Sequence, residues 1–92
     1  MVTSFRHKGL EAFWRTGSKA GINPPLATRI GRRLVALHGA TRPEDMNLPG
    51  FDFHALQGDR AGCYTVHVNG PWCITFRWLD GNAIDLDLEK YH

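Results

Sequence analysis

Residues 63–78, CYTVHVNGPWCITFRW, decide the fold. Tyr64, Val66 and Val68 alternate with Cys63, Thr65 and His67. Trp72, Ile74, Phe76 and Trp78 alternate in the same way with Cys73, Thr75 and Arg77. A period of two marks a half-buried strand, because successive side chains leave opposite faces. The turn between the two runs follows from register. A two-residue loop at Asn69-Gly70 would set Val66 against Cys73 and split the apolar sets between two faces. A three-residue loop, Asn69-Gly70-Pro71, pairs Val68 with Trp72, Val66 with Ile74 and Tyr64 with Phe76, so that the apolar residues share one face. The other face carries Cys63, Thr65, His67, Cys73, Thr75 and Arg77. It is polar and nothing in the sequence is set aside to cover it, which makes it a place for a ligand.

The reading extends outward from this hairpin. Asp80-Gly81 or Gly81-Asn82 turns the chain into a third run, in which Ile84, Leu86 and Leu88 alternate with Asp85, Asp87 and Glu89. Upstream the pattern becomes strand-like from Phe51, and His54 lies near the start of that region, just before Gly58-Asp59-Arg60. Before that the period changes. Leu10, Phe13 and Trp14 fall at i, i+3, i+4 and predict a helix over residues 8–16, stopped by Gly17. Asn23 precedes Pro24-Pro25 as an N-cap followed by prolines in the first turn. The helix that follows runs to about His38, with Leu26, Ile30, Leu34 and Leu37 in one stripe and Arg29, Arg32 and Arg33 on the other side. Gly39 closes it. Residues 40–50 are rich in turn formers, with one short helical turn starting at Pro43, and residues 2–5 suit a short edge strand. The expected fold class is α+β: two N-terminal helices packed on one face of a mainly antiparallel four- to five-stranded sheet.

With 92 residues the chain makes one domain, residues 1–92, with one core. No apolar run approaches the ~20 residues needed to cross a bilayer. The opening MVTSFRHKG has no apolar signal core, so a cytoplasmic protein without a membrane role is expected. Charge is uneven. Residues 1–50 hold eight Lys/Arg against three Asp/Glu, a net +5, and residues 51–92 hold three against six, a net −3. Eight of the eleven cations are Arg, the side chain suited to bidentate phosphate contact, and a basic half suggests a polyanion partner.

Cys63 and Cys73 share the polar face, but Cys73 pairs with His67, four residues or ~13 Å from Cys63. A disulfide needs Cα atoms within about 7 Å, so two separate thiols are expected. The same separation, with no Cys-x-x-Cys or His-x-x-x-His pair, argues against a metal site. His7 and His38 read as surface or cap residues and His67 as a partly exposed sheet residue. His54 and His92 are the more interesting pair. Cutting RNA without a metal means activating a 2′-OH, stabilising phosphate charge and protonating the leaving 5′-oxygen. His54, Tyr91 and His92 suit the proton transfers if the last strand runs beside the His54 segment. Arg60 and Arg77 suit the phosphate.

The segments SFRHKGLEAFWRTGSKAGI, EDMNLPG, FHALQGDRAG, VHVNGPWCITFRW and the final YH resemble, in this order and from end to end, HigB-type toxins of the RelE superfamily. The resemblance implies a small bacterial toxin without a cofactor that cuts mRNA in the ribosomal A site. It implies a helix-turn-helix antitoxin (HigA-like) as partner, and operator DNA bound through the toxin–antitoxin complex. It also implies a concave polar sheet face that binds RNA. His54, Tyr91 and His92 match the family's active-site pattern, with Arg60 among the basic residues nearby. Three positions depart from it. Gln57 stands where Lys is common, Cys73 where Arg is common, and Lys90 where an acid usually precedes Tyr-His. Two phosphate-binding cations are thus missing, while Lys90 brings one from the other side. Removing one well-placed donor typically costs ~10²–10³ in rate, so attenuated activity is expected.

Two readings compete. One is a ribosome-dependent, metal-free mRNA endonuclease. The other is a catalytically weak toxin-fold protein acting mainly through antitoxin binding and operon co-repression, with the arginine-bearing second helix serving the partner or DNA. A third, RNA binding off the ribosome, would show as cleavage of naked RNA.

Overall fold

The fold is a computed structural model describing residues 1–90. Two helices, α1 (Lys8–Thr16) and α2 (Ala27–Gly39), precede four strands. The strands are β1 (His54–Ala55), β2 (Cys63–Asn69), β3 (Trp72–Leu79) and β4 (Asn82–Lys90). They form one antiparallel sheet in the order β1-β2-β3-β4. The last strand therefore lies at the opposite edge from the His54 segment, with two strands between them, and not beside it as the proton-transfer reading of the sequence required. The N-terminal segment runs parallel to β4, touching it at two isolated bridges, Val2 to Ala83 and Phe5 to Leu86. The edge strand expected there is thus present in broken form.

Local chemistry explains the helix limits. The His7 Nδ1 accepts from the Leu10 N–H at 2.9 Å and caps α1. Gly17, with φ 79°, ends it, and its N–H donates to the Phe13 carbonyl. Gly9 in α1 lies against Gly21 so closely that a Cβ on either would collide with backbone of the other. Pro24–Leu26 forms a single 3-10 turn, and the α-helix proper begins at Ala27. The Asn23 side chain makes no capping bond. Pro24 and Pro25 have no N–H, so two of the donors a cap would satisfy do not exist. Leu26, Ile30, Leu34 and Leu37 are buried in the expected stripe. They meet Val66, Val68, Ile74, Phe76, Leu86 and Leu88 from the sheet in one core.

Arg33 corrects the sequence reading. It is 7% exposed and points under α2 rather than away from it. Its Nε donates to the His67 carbonyl at 2.7 Å and its Nη1 to the Arg29 carbonyl at 3.1 Å, while Nη2 lies 3.4 Å from the Gly50 carbonyl. The guanidinium also stands 4.4 Å from the Phe51 ring centroid. A fork of five donors can be buried when carbonyls and an aromatic face replace water. Burial pulls its pKa below the ordinary value, and the neighbouring Arg29 and Arg32 cations add to this.

The hairpin register holds from Cys63 to His67, with Val66 opposite Ile74, Tyr64 opposite Phe76 and His67 opposite Cys73. The loop differs. Asn69, not Val68, pairs with Trp72, leaving a two-residue Gly70-Pro71 turn and a register shift at Val68. The bulge absorbs the extra residue, so Val68 remains buried while the turn tightens. A second correction lies in β4. Thr75 pairs with Asp87 but Arg77 with Ile84, so Asp85 and Leu86 together oppose Phe76. Asp85 takes φ 53°, and its N–H donates to Ser4 Oγ at 2.9 Å. Alternation therefore reverses across Asp85. Ala83 joins the core with Leu86 and Leu88, and Ile84 lies on the polar face beside Arg77.

Candidate active site

The polar sheet face is organised in three rows. The middle row runs His54–Thr65–Thr75–Asp87 across all four strands. On one side lies His67–Cys73–Glu89, and on the other Cys63–Arg77–Ile84. The expectation of an uncovered face does not hold at its centre. Thr65 is 0%, Cys73 3% and Thr75 4% exposed. After β1 the chain folds back over the strands, with the Leu56 N–H donating to the Cys63 carbonyl at 2.8 Å. A 3-10 turn at Gly58–Arg60 follows. Leu56, Gln57 and Arg60 then stand with Thr65, Cys73, Thr75 and Glu89 around a cleft of about 200 Å³.

His54 is exposed at the strand edge. Its Nδ1 lies 3.0 Å from the Asp52 carbonyl. A carbonyl only accepts, so this bond places a proton on Nδ1 and leaves the Nε2 lone pair of a neutral ring for another proton. The turn that supports it is tied to the body. The His67 N–H donates to the Phe51 carbonyl at 2.6 Å, and Arg33 reaches the Gly50 carbonyl.

Arg60 forms a two-pronged ion pair with Glu89, at 3.1 and 2.7 Å. The Thr75 hydroxyl also donates to the Glu89 carboxylate. Arg60 holds Glu89 below the usual carboxylate range, with the Thr75 hydroxyl assisting against partial burial. In return Glu89 raises the Arg60 pKa above its ordinary value. Glu89 had no place among the sequence candidates. Its partner is 29 residues away, so no local pattern announces it.

The remaining candidates fall as follows. Gln57 and Cys73 line the cleft. Lys90 borders it, but its ammonium lies 5.0 Å from the Trp72 ring centroid. Arg77 is exposed, one row away, with its Nη1 3.8 Å from Cys63 Sγ. Cys63 and Cys73 form no disulfide. Tyr91 and His92 lie outside the described residues. Among the described residues no three His, Cys, Asp or Glu side chains are grouped to hold a metal ion. No described helix is long and apolar enough to cross a membrane.

On the opposite side of the molecule, Phe13, Gly31 and Val35 with Lys19 and Arg32 line a shallow groove of about 510 Å³ between the helices. It is larger than the cleft, but no histidine, tyrosine or carboxylate lines it, and it is no candidate for catalysis.

Residues 3–92 match the family described as RelE-like toxin of type II toxin–antitoxin system HigB. The chain is 37% identical, over the full length of both, to "Endoribonuclease HigB" of Proteus vulgaris. It is 30% identical to "Toxin HigB-1" of Vibrio cholerae serotype O1, covering 99% of this chain and 100% of the relative. A crystal structure of a YafQ mutant from E. coli superposes with a TM-score of 0.62 at 16% identity, over 98% of this chain and 93% of that one. That likeness is one of fold.

Proposed function

Because this chain belongs to the RelE-like HigB toxins of type II toxin–antitoxin systems, we propose that it is an endoribonuclease that cuts mRNA on the ribosome by side-chain acid–base chemistry. His54 Nε2 takes the proton of a ribose 2′-OH, and the oxygen attacks the adjacent phosphorus. The P–O5′ bond breaks, leaving a 2′,3′-cyclic phosphate. An acid returns a proton to the departing 5′-oxygen, a step assigned to His92. Tyr91 orients or stacks on a base, a contact worth about 1–3 kcal/mol. Arg60 and Arg77 hold phosphate. Gln57, Cys73 and Lys90 complete the RNA-contacting surface.

The observation that carries this reading is His54. An imidazole whose Nδ1 is anchored on a backbone carbonyl, with Nε2 left available, lies at the end of the row that crosses the floor of the cleft lined by Arg60. Primer extension on mRNA from cells expressing the chain tests it. Codon-phased cuts that vanish in His54→Ala are expected, and naked RNA should stay intact. Uncut mRNA and normal growth with the native chain would sink it.

A second reading is favoured by Cys73, Gln57 and the Arg60–Glu89 pair, which together leave the cleft poor in unpaired positive charge. On that reading catalysis is weak, and the chain acts mainly by binding its antitoxin and co-repressing the operon through operator DNA. Either way, the type II antitoxin partner is a helix-turn-helix protein met on the helical layer. The groove between α1 and α2 supports that placement, with an apolar floor rimmed by Lys19 and Arg32 that suits an amphipathic helix with acidic flanks. Both activities belong in the cytoplasm, where ribosomes and operator are found.

A further inference from the structure

Beside the cleft is a second recess of about 160 Å³ on the same sheet face. Three arginines from distant parts of the chain border it: Arg6 before α1, Arg60 after β1 and Arg77 on β3. Arg6 arrives because the N-terminal segment runs along β4, with Phe5 bridged to Leu86. It is close enough to the cleft for its charge to lower the Glu89 pKa, after the larger effects of Arg60 and Thr75. Two carboxylates also border the recess. Asp85 is engaged by the Ser4 hydroxyl at 3.4 Å, and Asp59 is exposed. Among the described residues, neither Arg6 nor Arg77 pairs with any carboxylate. Arg60 and Thr75 line both recess and cleft, so the two are continuous.

We propose that Arg6, Arg77 and the shared Arg60 form a second phosphate subsite, which holds the RNA phosphodiester next to the one being cut. This rests on the nuclease reading and adds a residue, Arg6, and a direction for the strand. The spacing suits it. Thr75 on the cleft floor and Arg77 in the recess are two residues apart on β3, ~7 Å along the strand. That is about one nucleotide step of an extended single strand. Exposed guanidinium forks without carboxylate partners are the groups that bind phosphate bidentately with little prior rearrangement. Arg60 is already paired with Glu89, so the two unpaired arginines carry the attraction. RNA would then thread from the cleft toward the Arg77 end of the sheet, keeping its register when the reacting phosphate is gripped weakly for want of cations at positions 57 and 73.

Two measurements on the full chain test the subsite. In the first, inorganic phosphate is titrated while the side-chain Nε–H resonances of Arg6 and Arg77 are followed by NMR. Both should shift together and saturate, and Arg77→Gln should abolish the shift at Arg6. Resonances that stay still, or drift without saturating, overturn the proposal. In the second, the affinity of a 2′-O-methylated single-stranded RNA oligonucleotide is measured against salt. Arg6→Gln and Arg77→Gln should each reduce the log–log slope by about 0.7, the loss of one phosphate contact. Arg42→Gln, whose arginine is paired with Asp45, should leave the slope alone. Unchanged slopes in both recess variants, or no binding of the oligonucleotide, overturn it. A chain that passes both measurements but leaves cellular mRNA uncut keeps the subsite and refutes the nuclease reading alone.

Discussion

Replacing Arg33 with methionine should destabilise the protein more than any surface charge change, because the arginine joins three parts of the chain. Methionine retains the apolar stem but none of the donors. The two shorter bonds, to the carbonyls of His67 and Arg29 at 2.7 and 3.1 Å, are charge-assisted and worth about 1.5–3 kcal/mol each. The Phe51 contact at 4.4 Å adds about 0.5–2 kcal/mol. Against this stands the cost of keeping a cation buried, visible in its lowered pKa. The net loss is then about 3 kcal/mol, a large part of the ~5–15 kcal/mol of a typical small domain. At about 4–8 °C per kcal/mol for a chain of this size, the midpoint should fall by about 12–24 °C. Thermal unfolding followed by circular dichroism measures it. Arg33→Lys should recover only part of the loss, since one ammonium cannot serve diverging carbonyls. The substitution should also slow mRNA cleavage at temperatures where the variant is fully folded, because Arg33 braces the turn that leads to His54. A midpoint within about 4 °C of the native chain would refute the reasoning, since that is no more than 1 kcal/mol.

Further outcomes are expected. Cys73→Arg with Gln57→Lys should speed mRNA cleavage by roughly 10²-fold, because both positions line the cleft and each supplies a missing donor; an unchanged primer-extension pattern would remove the explanation for attenuation. Glu89→Gln should cost about 0.2–1 kcal/mol at neutral pH, a modest figure because Arg60 is 46% exposed. Since the Glu89 pKa is lowered on folding, its contribution is present above the unfolded value of about 4.3 and lost as pH falls below it. Urea midpoints of native and variant chains should therefore converge in acid and stay apart at neutral pH. Gly9→Ala should lower stability by about 1–3 kcal/mol despite alanine's better helix propensity, because the new Cβ strikes the Gly21 backbone, and chemical denaturation reads the loss.

What could be read without coordinates was periodic or nearest-neighbour in character. The limits of α1, its histidine cap and glycine stop depend on residues within four positions of one another. The pairing of Val66 with Ile74 and Tyr64 with Phe76 follows from alternation, because a slip by one residue would turn an apolar face to water. His54 was legible as a candidate, but only as a residue type that suits the chemistry, and the Nδ1 bond that leaves Nε2 available comes from the turn at Asp52. The folded structure alone decided where charge is spent. Arg33 reads as one of three helical arginines until His67, Gly50 and Phe51 close over it. Arg60 meets Glu89, and Arg6 joins Arg77, across separations that no window of sequence contains. The bulge at Asp85 is similar, since its positive φ falls on an aspartate in an unbroken alternating run and is satisfied by Ser4 from the opposite end of the chain. Apolar patterning acts through local geometry, whereas a polar group's partner is chosen by whatever the chain path brings within hydrogen-bond reach. The division of labour on the sheet's polar face therefore belongs to the tertiary structure.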